Sequence, residues 1–168
     1  MSRAGAARDG TRIPSLGPRG EGWLLLQLVL LLAIAAAAMA FPLSVDGSTE
    51  QLARLVGLLV LVGGLVIFGL GIVTLGSSLS PLPAPMPTAQ LVERGIYRFI
   101  RHPIYSGLIL AALGGAIYSV SLVALGLTAV LAVVLDLKSR REELWLRERF
   151  PGYAAYAERT KRFIPGLY

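Results

Sequence analysis

Long uncharged apolar runs separated by short polar breaks dominate the chain. The first run is Trp23 to Phe41 and holds no charged residue. At 1.5 Å rise per residue it spans about 28 Å, close to the roughly 30 Å of a hydrocarbon core. Pro42 to Gln51 is a polar turn with Asp46 and Glu50. The second run is Leu52 to Leu75, with Arg54 near its start and able to snorkel to the interface. Its Gly57, Gly63, Gly64, Gly69 and Gly71 suit close approach of neighbouring helices. The third run opens at Pro103, a residue favoured at the first helical position, and continues from Ile104 to Tyr118. Ser119 to Ser121 is the expected turn, and Leu122 to Leu137 is the fourth run. These last two are about 15–16 residues each, short of the usual 17–25. They read as two thin spans, with a re-entrant hairpin as the alternative.

The polar segments complete the plan. Residues 1–22, rich in Gly, Ala, Arg and Pro, read as a disordered cytoplasmic leader. Ala38-Met39-Ala40 also admits a cleaved signal peptide, although the apolar run exceeds the 7–15 residues usual for one. Residues 23–75 hold two N-terminal transmembrane helices. Residues 76–90, with Pro81, Pro83, Pro85 and Pro87, form an extended polyproline-like connector. Residues 91–168 form a C-terminal catalytic subdomain: a surface segment to His102, the helical hairpin, and cytosolic helices. The first cytosolic helix is Lys138 to Phe150, broken by Pro151-Gly152, and the second is Tyr153 to Arg162. The predicted fold class is all-α: a polytopic membrane protein with about four transmembrane helices and a cytosolic C-terminal helical tail.

Basic residues set the orientation. Arg3, Arg8, Arg12 and Arg19 lie in the leader, and Arg94, Arg98 and Arg101 precede the third run. Eight Lys and Arg follow Leu137, while the Ser turn has none. Both termini are therefore expected on the cytoplasmic side of a cell membrane. Abundant Ala, Gly and Arg without cysteine are compatible with a bacterial inner membrane. The excess charge of +6 is explained by topology and anionic headgroups rather than nucleic acid. Absence of cysteine excludes disulfides and thiolate chemistry, and a single histidine argues against a zinc site. The 55% hydrophobic content and mean hydropathy of +0.67 agree with a membrane chain.

Two polar clusters then fall at one membrane face. The first is Arg101-His102-Pro103-Ile104-Tyr105 and the second is Arg140-Arg141-Glu142-Glu143. A helix N-terminus with Arg101 and His102 beside it favours an anion. Glu142 and Glu143 offer acceptors for an ammonium, a sulfonium or ribose hydroxyls. S-adenosylmethionine carries this set of groups, and so, less selectively, does a nicotinamide dinucleotide. Plainer readings stand beside these. His102 is positioned to cap its helix. Glu143 stands four before Arg147, a favourable surface pair. Asp136 can pair with Arg140, and Tyr153 and Tyr156 can anchor the tail at the headgroups.

The run Gly95-Ile96-Tyr97-Arg98-Phe99-Ile100-Arg101-His102-Pro103-Ile104-Tyr105-Ser106-Gly107 resembles the signature of the isoprenylcysteine carboxyl methyltransferase family, whose relatives include phospholipid N-methyltransferases. Glu142-Glu143, Phe150-Pro151-Gly152-Tyr153, Tyr156 and Arg162-Phe163-Ile164-Pro165 extend the likeness over roughly residues 91–165. The resemblance implies an S-adenosylmethionine-dependent methyltransferase whose lipid-soluble acceptor, a prenylcysteine-like carboxylate or a lipid amine, enters from the bilayer. It implies Arg101, His102, Pro103, Tyr105, Gly107, Glu142 and Glu143 as cofactor residues, with Gly107 letting its helix pass close to the cofactor. Arg162 or Arg98 would hold an acidic substrate group. An amine acceptor would need a base, with Glu142, Asp136 or Tyr105 as candidates. No metal and no nucleic acid are implied; membrane lipids are the surroundings.

The sequence also departs from the pattern. Ile96 stands where many relatives have proline, and the N-terminal half carries no matching motif. Membrane sterol and steroid reductases that use NADPH share the His-Pro motif. They show asparagine where this chain has Ile104 and glutamate where it has Leu108. Such a reductase is the alternative enzyme, and a non-catalytic membrane scaffold is the alternative to both.

Overall fold

The computed structural model describes residues 13–84 and 88–168. Most of the expected leader, and Pro85 to Pro87 of the connector, lie outside the described residues. The protein is an all-α polytopic membrane protein. Its helices are α1 (Glu21–Ala40), α2 (Gly47–Leu75), α3 (Pro103–Tyr118), α4 (Leu122–Arg149) and α5 (Tyr153–Arg159). α1, α2 and α4 are long and apolar enough to cross a membrane; α3 is apolar but has 16 residues.

Local chemistry accounts for the helix ends. The Asp46 side chain caps α2 by accepting from Thr49 N at 3.0 Å. Hydrogen bonds from the Ser48 and Thr49 hydroxyls, added to that backbone bond, hold its carboxyl well below the usual carboxylate range. Pro103 occupies the first turn of α3, as its fixed φ favours. Ser121 Oγ accepts from Ala124 N at 3.3 Å at the start of α4 and donates to Ala37 O at 3.2 Å. The turn before it holds Val120 at φ +50, an uncommon conformation for a β-branched residue. Leu43 N donates to Val120 O at 3.0 Å, so this turn and the end of α1 close one end of the bundle.

Expected and observed elements differ at α4. The fourth apolar run and the first cytosolic helix are one continuous helix of 28 residues. Polarity changes at Lys138, but no proline or glycine stands between Leu127 and Arg149 to stop the helix. The second tail helix is shorter than expected and ends at Arg159. The connector begins with a 3₁₀ turn at Gly76–Ser78, and a second 3₁₀ turn at Gly95–Arg98 precedes α3.

Packing pairs α2 along α3 and α1 along α4, with α3 also on α4; the two N-terminal helices do not pack along each other. The α2–α3 seam is built from small residues. A Cβ at Gly64 would lie 2.4 Å from Ala111 N, and one at Gly114 would lie 2.2 Å from Leu61 N. Gly57 and Gly71 also face α3, whereas Gly63 and Gly69 have nothing within 4 Å. Three of the five glycines expected at helix contacts therefore serve there, spaced seven apart on one stripe. α1 contributes Trp23, Leu30, Ile34 and Ala37 to the buried core shared with Leu131, Val134 and Leu135 of α4. Trp23, at the start of the first apolar run, donates from Nε1 to Pro14 O at 3.1 Å and is buried.

The C-terminal tail is stitched to the segment before α3. Arg101 N donates to Lys161 O at 2.8 Å and His102 N to Arg162 O at 3.0 Å, while Lys161 N donates to Phe99 O at 3.2 Å. This short parallel pairing carries the tail back over the start of α3.

Candidate functional site

Helices α1, α3, α4 and α5 bring polar side chains together at one end of the bundle. The early part of α1, the end of α2, the start of α3 and the polar part of α4 surround a cavity of about 500 Å³. Connector residues 78–82 and 89–92 form another wall. Apolar walls come from α1 and α2, through residues such as Leu24, Leu28, Phe68 and Ile72, and from the connector, through Leu79, Leu82 and Leu91. Arg101, His102, Tyr105, Lys138, Glu142 and Tyr153 add polar groups.

The adjacent glutamates have different surroundings. Glu143 is 6% exposed and does not line the cavity. Its Oε1 accepts from Arg101 Nε at 3.0 Å and from Arg162 Nε at 3.2 Å, and it lies 3.2 Å from His102 Nε2. Arg162 Nη2 reaches its Oε2 at 3.3 Å. Arg162 is half-buried. Burial works against its charge, but the hydrogen bond and charge of Glu143 outweigh this and raise the guanidinium above its ordinary range. Arg101 also donates to the carbonyl oxygens of Ala157 and Thr160. Glu143 is thus the hub that ties α4, the start of α3 and the tail together, not the surface partner of Arg147.

Glu142 lines the cavity. The Tyr105 hydroxyl donates to Glu142 Oε2 at 2.8 Å, and His102 Nδ1 lies 3.9 Å from the same oxygen. The rings of His102 and Tyr105 are stacked, with centroids 5.3 Å apart and planes within 3°. His102 holds the N-cap position of α3, yet its side chain makes no capping bond; the ring is turned toward the glutamates.

The remaining sequence candidates are dispersed. Pro103 is buried in contact range of Gly71, and Gly107 makes its close approach to α2, where a Cβ would sit 2.5 Å from Phe68 N. Neither lines the cavity. Arg98 is exposed and away from it. Arg162 joins Glu143 to Asp136, whose Oδ1 it reaches at 3.2 Å. Asp136 also accepts from Arg140 Nε at 2.7 Å, the expected pair, and from the Tyr168 hydroxyl at 2.9 Å. Of Arg162, Arg98 and Tyr105, only Tyr105 faces the cavity.

Several lining residues had no site role in the sequence reading. Lys138 is 1% exposed, and its Nζ donates to Gln27 Oε1 at 2.6 Å. The available signal was Gln27, the one polar side chain within the run Trp23 to Phe41. Tyr97 is buried, and so are Tyr153 and Tyr156, which are not spread as surface anchors of the tail. Burial pushes all three phenols above the ordinary tyrosine range. Tyr156 donates to Tyr97 O at 2.7 Å. The Tyr153 hydroxyl is fully buried and has no hydrogen-bond partner among the described residues. A buried polar atom left so is costly unless something fills its valence.

Residues 52–152, more than half of the chain, match the phospholipid methyltransferase family. The chain belongs to that family. The matched region contains most of α2, all of α3 and α4, and both polar clusters, and with the apolar helices it marks a membrane protein of methyltransferase type. The chain is also similar to the cobalt-zinc-cadmium resistance protein CzcN of Cupriavidus metallidurans, with 40% identity over 81 residues. That alignment covers 46% of this chain and 36% of the relative, so the chain spans about a third of that protein's length.

Proposed function

We propose that the protein transfers a methyl group from S-adenosylmethionine to a lipid-soluble acceptor that reaches the cavity from the bilayer. The observation that carries this reading is the pairing of Glu142 and the unpartnered Tyr153 hydroxyl in one largely apolar cavity of a phospholipid methyltransferase family chain. The donor set fits the cofactor. Glu142 suits its ammonium or ribose hydroxyls, Tyr153 offers a buried donor, and Tyr97, Phe150 and Tyr156 offer aromatic surface to a purine. When bound, the cofactor supplies a methyl carbon already activated by a sulfonium leaving group.

The protein's own part is alignment and exclusion of water. Alignment of well-oriented reactants is worth about 7–11 kcal/mol. Tyr105 holds the Glu142 carboxylate in one orientation, and Glu143 with its arginines holds the start of α3 against α4. A carboxylate acceptor needs no base; an amine acceptor releases a proton, for which Glu142 is the carboxylate at hand. Because α1 and α2 do not pack along each other, their leucines and isoleucines offer the acceptor's apolar chain a route between them. The distribution of Lys and Arg favours a cytoplasmic cavity with both termini on that side, consistent with a bacterial inner membrane. In a chain without cysteine, single cysteines at the exposed Ser44, between α1 and α2, and Glu158, on α5, test the sidedness by labelling with an impermeant maleimide.

Thermal unfolding in mild detergent tests the cofactor. S-adenosylhomocysteine at 100 times its dissociation constant adds about 2.7 kcal/mol of stability. The shift is expected in the wild type and absent in Glu142→Ala. A shift with NADPH alone would instead support the reductase, and none with either compound would support the scaffold.

A further inference from the structure

Lys138 stands out among the ionisable groups of the cavity. It lies on α4 where the helix leaves its apolar part, and it is 1% exposed. Its Nζ meets only neutral groups at close range: Gln27 Oε1 at 2.6 Å, Pro81 O at 3.5 Å, and the Tyr105 ring with its centroid 5.0 Å away. Among the described residues no carboxylate lies within 4.0 Å of it. Glu142, one helical turn further on, is engaged by Tyr105. Glu142 therefore attracts the ammonium only from beyond contact distance, a buried cation with no carboxylate in contact is expensive, and an ionisable group in a membrane bundle marks a functional site.

The position of Lys138 within the cavity says which ligand it serves. Lys138, Glu142 and Leu146 line the cavity along one face of α4, about 12 Å from first to last. The Leu146 end is closed by Phe150 and the tail tyrosines. The Lys138 end is bordered by α1 and the apolar residues that face the gap beside α2. Gln27 gives its oxygen to Lys138, which leaves two amide N–H donors to offer an anion.

We infer that Lys138, held by Gln27, seats the anionic headgroup of the methyl acceptor, so that the acceptor is an anionic amphiphile with a carboxylate or phosphate head. This rests on the reading of the cavity as the acceptor site. It makes Lys138 and Gln27 specificity-determining: they select the acceptor's head while the α1 and α2 leucines accept its chain. An amphiphile whose head is solely an ammonium is disfavoured by like charge.

The test compares hexadecanoate, hexadecyl phosphate, hexadecylamine and hexadecanol as stabilisers of the full chain in a non-ionic maltoside. Wild type is expected to gain melting temperature with one or both anions and not with the amine or the alcohol. Hexadecanoate alone identifies a carboxylate head, and hexadecyl phosphate alone a lipid phosphate. Lys138→Met is expected to abolish the anion shift and keep the S-adenosylhomocysteine shift. Gln27→Leu, which leaves the lysine in place, is expected to weaken the anion about tenfold, the equivalent of one charge-assisted hydrogen bond. Stabilisation by hexadecylamine, an anion shift that survives Lys138→Met, or no anion shift in wild type overturns the seat. Loss of the S-adenosylhomocysteine shift in Lys138→Met also overturns it, reassigning the lysine to the cofactor's carboxylate. An anion shift in a wild type indifferent to S-adenosylhomocysteine sinks the cofactor reading and leaves the anion seat standing.

Discussion

Arg101 donates from Nε to Glu143 Oε1 at 3.0 Å across 42 positions of sequence, joining the start of α3 to the polar part of α4. Both side chains are largely buried, and Arg162 completes the cluster from the tail. Glu143→Ala leaves two guanidinium groups without their shared carboxylate. Breaking such a buried pair costs about 3–5 kcal/mol. Arg101→Ala is expected to cost a similar amount, and the double variant less than the sum. Strict additivity in denaturant titrations would show that the two residues do not act together.

Tyr105 and Glu142 form a second coupled pair, at 2.8 Å, inside the cavity. Tyr105→Phe removes a charge-assisted hydrogen bond worth about 1.5–3 kcal/mol. The expected effect falls on S-adenosylhomocysteine affinity, because the carboxylate loses its fixed orientation. A double-mutant cycle on binding reads the coupling; zero coupling removes Tyr105 from the site.

Tyr153 and Tyr156 contrast a hydroxyl without a hydrogen-bond partner among the described residues with one that is bonded. Tyr156→Phe loses the bond to Tyr97 O and is expected to cost about 0.5–1.5 kcal/mol without ligand. Tyr153→Phe is expected to leave the free protein as stable or slightly more so, since its hydroxyl has no hydrogen-bond partner among the described residues, and to weaken cofactor binding. Calorimetric melting of both variants, with and without S-adenosylhomocysteine, decides between these outcomes.

The same tyrosines predict alkaline lability. Burial raises the phenols of Tyr97, Tyr153 and Tyr156 in the folded state. Above roughly pH 10 the unfolded chain releases these protons while the folded one retains them. The unfolded state then binds fewer protons, so stability falls as pH rises. The contribution is fully present below that pH, and Tyr156→Phe should flatten the decline. An equally steep decline in the variant would assign the lability elsewhere.

The α2–α3 seam predicts steric failure. Gly114→Val places a Cβ 2.2 Å from Leu61 N, a backbone atom with no side chain to move aside. A loss of about 1–3 kcal/mol or more is expected, whereas Gly63→Val, facing open space, should be near neutral. Comparable melting of the two variants would mean that the helices do not meet as described.

The sequence by itself determined the apolar helices, because each spanning segment satisfies its own backbone and so announces itself locally. It also determined the start of α3, through the fixed φ of Pro103, and the two polar clusters at one end of a hairpin. Tertiary structure decided the rest. Glu142 and Glu143 are neighbours in sequence, yet side chains one residue apart leave a helix about 100° apart. One therefore faces the cavity and the other the tail, a division set by where α3 and residues 160–163 pack against α4. Periodicity did not reveal that α4 continues past Lys138, since polarity changes there without a helix-breaking residue. Nor did spacing reveal Lys138 with Gln27, 111 positions apart. Only the packing of α1 along α4 brings that amide to the lysine, and a buried cation takes its meaning from the groups the fold puts within reach of it.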